Sequence, residues 1–156
     1  MSLLRPRQTC AVVLIACAAA AGCELVDPAD EVDGEWLFSA RNLTGAGVGC
    51  QVDGLRLQLV QDGTRFSGAA TDGEMSCDQE SESVDVELGT LPVINGRLTG
   101  SRVSFDIGSA DWSVDGTLAG GSMEGTMQMV VGEPFGNVVV SGRFGAARVD
   151  SLQIDE

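Results

Sequence analysis

The chain has 156 residues, with nine arginines and no lysine or histidine against 23 acidic residues, for a formal charge of −14. Such an acidic surface repels nucleic acid and anionic headgroups, so both are poor partners and no nucleic acid is expected. Without His, Lys or Tyr the usual general bases and Schiff-base chemistry are missing, so the chain reads as a non-enzyme without cofactor or metal.

Residues 1–22 read as a targeting segment rather than as structure. Arg5 and Arg7 supply the positive start, and Ala11 to Ala21 is an apolar stretch too short for a membrane span of about 20 residues. It ends in Ala20-Ala21-Gly22-Cys23, a string that resembles the lipobox of bacterial lipoproteins. The family favours Leu where Ala20 stands; an ordinary signal peptide cut nearby is the alternative. The resemblance implies a diacylglycerol on the Cys23 thiol, cleavage before Cys23 and acylation of the new amine. Two or three acyl chains hold a protein at a membrane stably, where one does not. Residue 24 is Glu rather than the Asp that retains some lipoproteins at the inner membrane. The expected location is therefore the bacterial cell envelope, at the outer membrane where there is one, with the membrane contacted through the N-terminal lipid.

Residues 23–33, acidic and carrying Pro28, read as the lipidated tether. The 134 residues left after the leader make one ordinary domain and keep a formal charge near −16. Cys10 and Cys17 depart with the leader, and lipid takes Cys23. Cys50 and Cys77 remain, and in an exported chain they are most simply a disulfide. Asp62-Gly63 marks a hairpin turn between two alternating runs. That turn places Cys50 opposite Met75, two residues short of Cys77, so a bulge or loop is needed to complete the bridge. The bridge is expected to stabilise by roughly 3.5 kcal/mol in the chain-entropy model.

From Gly34 to Arg148, short alternating runs separated by Gly-rich turns give an all-β signal. Strands are expected near 34–43, 51–61, 64–72, 83–99 (bent at Pro92), 102–108, 111–119, 122–131 and 137–147. The segment 95–104 repeats at 115–124 and puts equivalent turns at Gly100-Ser101 and Gly120-Gly121. The register then pairs Leu98 with Val103, Ile94 with Ile107, Leu118 with Met123, Val114 with Met127 and Met129 with Val138. Each pairing keeps apolar residues or glycine on one face, and a slip of one residue breaks every match. The result is an antiparallel up-and-down meander of 8–9 strands. Closure into a small β-barrel removes its edges, and a two-sheet β-sandwich is the alternative. The opposite face is polar, the reverse of a membrane barrel, so the domain at 34–148 is expected to be soluble, followed by an acidic tail at 149–156.

The inward set includes Trp36, Phe105, Trp112, Met123, Met127 and Met129, together with Val84, Val86 and Leu88. Gly116, Gly125 and Gly142 also point inward. Such glycines relieve coiling strain, or leave room for a large neighbour or a guest. The interior is thus either a filled core or an apolar cavity for one small ligand. Gly34-Glu35-Trp36 resembles the Gly-x-Trp signature of lipocalins, in which the Trp closes the barrel base. That resemblance implies a calycin-like barrel with a late arginine over the Trp, and both Arg143 and Arg148 are available for this. The acidic stretch 72–82 reads as a solvated loop, since it lacks a Ca²⁺-loop spacing. Two functions follow: a small hydrophobic ligand held in the barrel, or an envelope protein partner bound through loops and the outer face.

Overall fold

The structure, a computed structural model, describes residues 31–152. Ten antiparallel strands follow in chain order: β1 Gly34–Gly45, β2 Val48–Asp62, β3 Arg65–Thr71, β4 Glu74–Gln79, β5 Glu82–Glu87, β6 Leu91–Thr99, β7 Arg102–Ile107, β8 Trp112–Ala119, β9 Ser122–Val131 and β10 Val138–Arg148. A 3-10 turn at Val149–Leu152 follows them. Strand β1 pairs with both β10 and β2, so β1, β2, β3 and β6 to β10 close into an eight-stranded barrel. All-β closure is as the alternation requires: apolar residues of period two turn inward, and closure pairs the edges of the eight barrel strands.

Strands β4 and β5 extend this barrel. The first half of β2 (Gly49–Asp53) pairs with β4, and its second half (Arg56–Asp62) pairs with β3. Strands β3 and β4 therefore run end to end along β2. Strands β5 and β6 run end to end along them in turn. The overhang forms an arm of about six residues per strand, roughly 20 Å at ~3.3 Å per residue. The expected loop at 72–82 is thus mostly strand. The break in the long 83–99 run falls at Leu88–Thr90, leaving Pro92 inside β6 opposite Ala69.

Two registers differ from the expected ones by two residues. The first hairpin turns at Gly63-Thr64, flanked by the pair Asp62↔Arg65, so Leu59 faces Gly68 and Leu57 faces Ala70. Gly63 (φ 62°) takes the left-handed position that opens a type II′ turn, which glycine adopts without strain. The last hairpin pairs Met129 with Val140 and Met127 with Gly142. A two-residue slip preserves which face each side chain takes, so the inward set survives. Near Pro92 the face does change. Asn95 (φ 55°) is an extra residue in β6, and beyond it Val93 pairs with Ile107 and is buried, while Ile94 faces Asp106. The repeat turns at Gly100-Ser101 and Gly120-Gly121 stand where the pattern puts them, flanked by Thr99↔Arg102 and Ala119↔Ser122.

The two ends of the barrel differ. One carries the entry to β1, the turns at 63–64, 100–101 and 120–121, and the exit of β10. The arm and the loop at 132–137 lie at the other. Phe135 of that loop is buried in the same core as Leu43, Val48, Cys50, Val52 and Cys77 of the arm.

Candidate functional site

Trp36, Phe105, Trp112, Met123, Met127 and Met129 are all buried, at 8% exposure or less. Val84 and Leu88 are only half-buried and Val86 is 38% exposed, because β5 lies outside the barrel. No polar or charged residue is buried among the described residues. Four phenyl rings run through the interior in one chain. Phe66 meets Phe105 edge-on at 5.7 Å, Phe105 meets Phe38 edge-on at 6.5 Å, and Phe38 stacks on Phe144 at 5.3 Å. Two inward glycines, Gly96 and Gly116, are notches beside two of these rings. A Cβ on Gly116 would come within 2.8 Å of Phe144 Cζ, and one on Gly96 within 2.5 Å of the Phe66 ring. Gly125 and Gly142 are instead closed off by neighbouring backbone oxygens, those of Asp115 and Asn42 at 2.2 and 2.4 Å.

The base of the barrel is fixed by Trp36 and Arg148, which pair across β1 and β10. The Arg148 guanidinium lies 4.6 Å over the Trp36 ring, so of the two late arginines it is Arg148 that covers the Trp. It also donates to the carbonyl oxygens of Asp33, at 2.5 Å, and Glu31. The buried Trp36 Nε1–H donates to the Val32 carbonyl at 2.8 Å. Gln61 accepts from Val32 N and its own N–H donates to Asp33, each at 2.8 Å, which straps residues 31–33 across this end. Cys23 lies outside the described residues, as do 153–156 of the acidic tail.

A polar depression of about 730 Å³ crosses the outside of β6 to β10. Its centre is a cross-strand row: Arg97, Ser104, Asp115, Thr126 and Arg143 pair in succession. Asp115 is bonded to Arg102 at 2.8 Å, and the hydrogen bond and charge of Asp115 raise the Arg102 pKa. The depression is open, and its Arg97, Asp115 and Arg143 are exposed to water.

The arm is the feature that sequence reasoning missed. Cys50 and Cys77 stand directly opposite each other on β2 and β4 and form the disulfide, with 4.1 Å between their Cα atoms. No bulge is needed once the turn is placed at Gly63-Thr64. Two apolar rows cross the arm: Leu43, Cys50, Cys77 and Val84, and Ala40, Val52, Met75 and Val86. The other face carries Glu74, Ser76 and Asp78 against Glu87, Asp85 and Ser83. The signal was present in the alternation of Met75 and Cys77, then Val84 and Val86, but the density of acidic residues between them concealed it. No group of three or more His, Cys, Asp or Glu suited to a metal occurs among the described residues.

No known protein family, no curated protein and no solved structure matches this chain.

Proposed function

We propose that this protein is a non-catalytic, lipid-anchored interaction module of the bacterial cell envelope, which engages a protein partner through its disulfide-stapled arm. The observation that carries the reading is that the arm is additional to the barrel. The barrel closes through β1, β2, β3 and β6 to β10 without β4 and β5. Exposed strands and a disulfide added to a closed domain are better explained by recognition than by stability. The rings of Phe38, Phe66, Phe105 and Phe144 fill the space an apolar guest would need, which favours the surface over the interior.

The string Ala20-Ala21-Gly22-Cys23 supports anchoring by acylated Cys23. Seven residues then separate Cys23 from Glu31, where Arg148 holds the chain on the barrel, a reach of up to roughly 28 Å when extended. The tether would enter at the Trp36–Arg148 end and leave the arm directed away from the bilayer. The test is photo-crosslinking in bacterial cells from Ser83 on the arm and, as a control, from Ser113 on the barrel wall. A discrete protein adduct from Ser83, lost when Cys23→Ser releases the protein from the membrane fraction, is the expected result. Failure of every arm position to give an adduct, in membrane-bound and disulfide-intact protein, overturns the reading.

A further inference from the structure

Strand β5 is an open edge with an unusual division of its two faces. Gln79 and Glu82 flank a two-residue turn, so they form a hydrogen-bonded pair, and alternate residues of β5 bond inward from there. The Leu88 N–H donating to the Gly73 carbonyl at 2.7 Å keeps the same phase. The N–H and C=O groups of Ser83, Asp85 and Glu87 consequently point away from β4. No strand among the described residues pairs with them.

Edges are commonly blunted by Pro, a bulge, short length or charge, Lys above all. This short edge has no Pro, Lys or bulge, its register being continuous from Glu74↔Glu87 to Gln79↔Glu82, and its charges are all carboxylates, which repel an acidic strand and admit a cationic one. On one face, Val84 and Val86 carry the buried apolar rows of the arm out into water. On the other, Glu74, Ser76, Asp85 and Glu87 line most of a depression of about 420 Å³. Glu74 and Glu87 stand directly opposite each other, an arrangement unfavourable in isolation. The three ion pairs among the described residues use Asp53, Glu35 and Asp115, so none compensates this face.

Resting on the interaction reading above, we infer that β5 accepts an extended segment of the partner as an added strand along Ser83–Glu87. The segment alternates apolar and cationic residues. Its apolar side chains cover Val84 and Val86, and its Lys or Arg side chains sit against Asp85, Glu87 and Glu74. Main-chain bonds supply affinity and the alternating side chains supply selectivity. Charge decides the occupant. A second copy of this chain would set like carboxylates against each other. The chain's own outlying mature segments, 24–30 and 153–156, contain no cation.

The test uses purified mature protein with the disulfide intact and three synthetic heptapeptides. One alternates Lys and Val, one alternates Glu and Val, and one is the Lys/Val peptide N-methylated at alternate backbone nitrogens. The Lys/Val peptide is expected to bind and to slow amide exchange at Ser83, Asp85 and Glu87. The Glu/Val and N-methylated peptides are expected to bind at least tenfold more weakly. The double variant Asp85→Lys/Glu87→Lys, whose side chains are exposed and whose folding is checked by circular dichroism, should also lose at least tenfold. Absence of binding, binding that survives N-methylation, or unchanged exchange at those three amides overturns the inference. If the crosslink from Ser83 is nevertheless found in cells, the interaction reading stands and only the added-strand geometry falls.

Discussion

Arg148 stacks its guanidinium 4.6 Å above the Trp36 ring and donates to carbonyls on both sides of Val32. One side chain thereby joins the last strand, the first strand and the segment entering the barrel. The glycine two residues before Trp36 belongs to the same arrangement. Gly34 has φ 118°, and a Cβ there would stand 3.2 Å from Arg148 Nη1.

Arg148→Ala removes the ring contact and the donors to Asp33 and Glu31. The expected destabilisation is about 1–3 kcal/mol, from a cation–π contact and charge-assisted hydrogen bonds. Arg148→Lys should recover less than half, because an ammonium lacks the planar fork that stacks and donates at once. Urea unfolding followed by tryptophan fluorescence measures both.

Phe144→Ala tests whether the interior is filled. Its ring stacks on Phe38 and lies in the notch at Gly116. Deleting a packed phenyl costs about 3–5 kcal/mol. Gly116→Ala should also destabilise, by at least ~1–3 kcal/mol, since its Cβ would meet the Glu124 carbonyl oxygen at 2.4 Å as well as the ring. Denaturant midpoints report both. An unchanged midpoint for Gly116→Ala would show unfilled space beside it.

Replacing Cys50 and Cys77 together with Ala frees a loop closed across 27 residues of sequence. The expected loss is roughly 3.5 kcal/mol if the cross-link acts on the unfolded chain. Its local signature is distinct: hydrogen exchange should accelerate first in β4 and β5, which only β2 ties to the barrel, and later in β8 and β9.

Arg65 and Arg97 face each other across β3 and β6, two like charges in one cross-strand position. Arg97→Glu converts them to an opposite pair and should stabilise by about 0.2–1 kcal/mol at low ionic strength. The gain should shrink as salt is raised, because both side chains are exposed. Thermal melts at two salt concentrations measure it.

Much of the barrel was legible from alternation and turn residues. The repeat at 95–104 and 115–124 located two turns, and Gly-rich breaks located most strands. The candidate site was far less legible. Glu74, Asp78, Glu80 and Glu82 interleave with Met75 and Cys77, so composition points to a loop where backbone pairing makes a strand. Asn95 inserts one residue and reverses the faces of Val93 and Ile94, and a periodic pattern cannot register a single insertion when both residues are apolar.

The sequence by itself determined which side chains turn inward along most strands, because the face of a strand residue depends only on a local period of two. It also made Cys50 and Cys77 the expected disulfide pair, though opposite the wrong partners by two residues. Only the tertiary structure decided the absolute register, since a slip of two residues returns every side chain to its own face. Seating Phe66 beside Gly96, Phe144 beside Gly116 and Cys50 opposite Cys77 removes that degeneracy. The same closure selected Arg148 over Arg143 at Trp36 and left the outer edge of β5 without a partner strand among the described residues, because contacts between distant strands exist only once the barrel is shut.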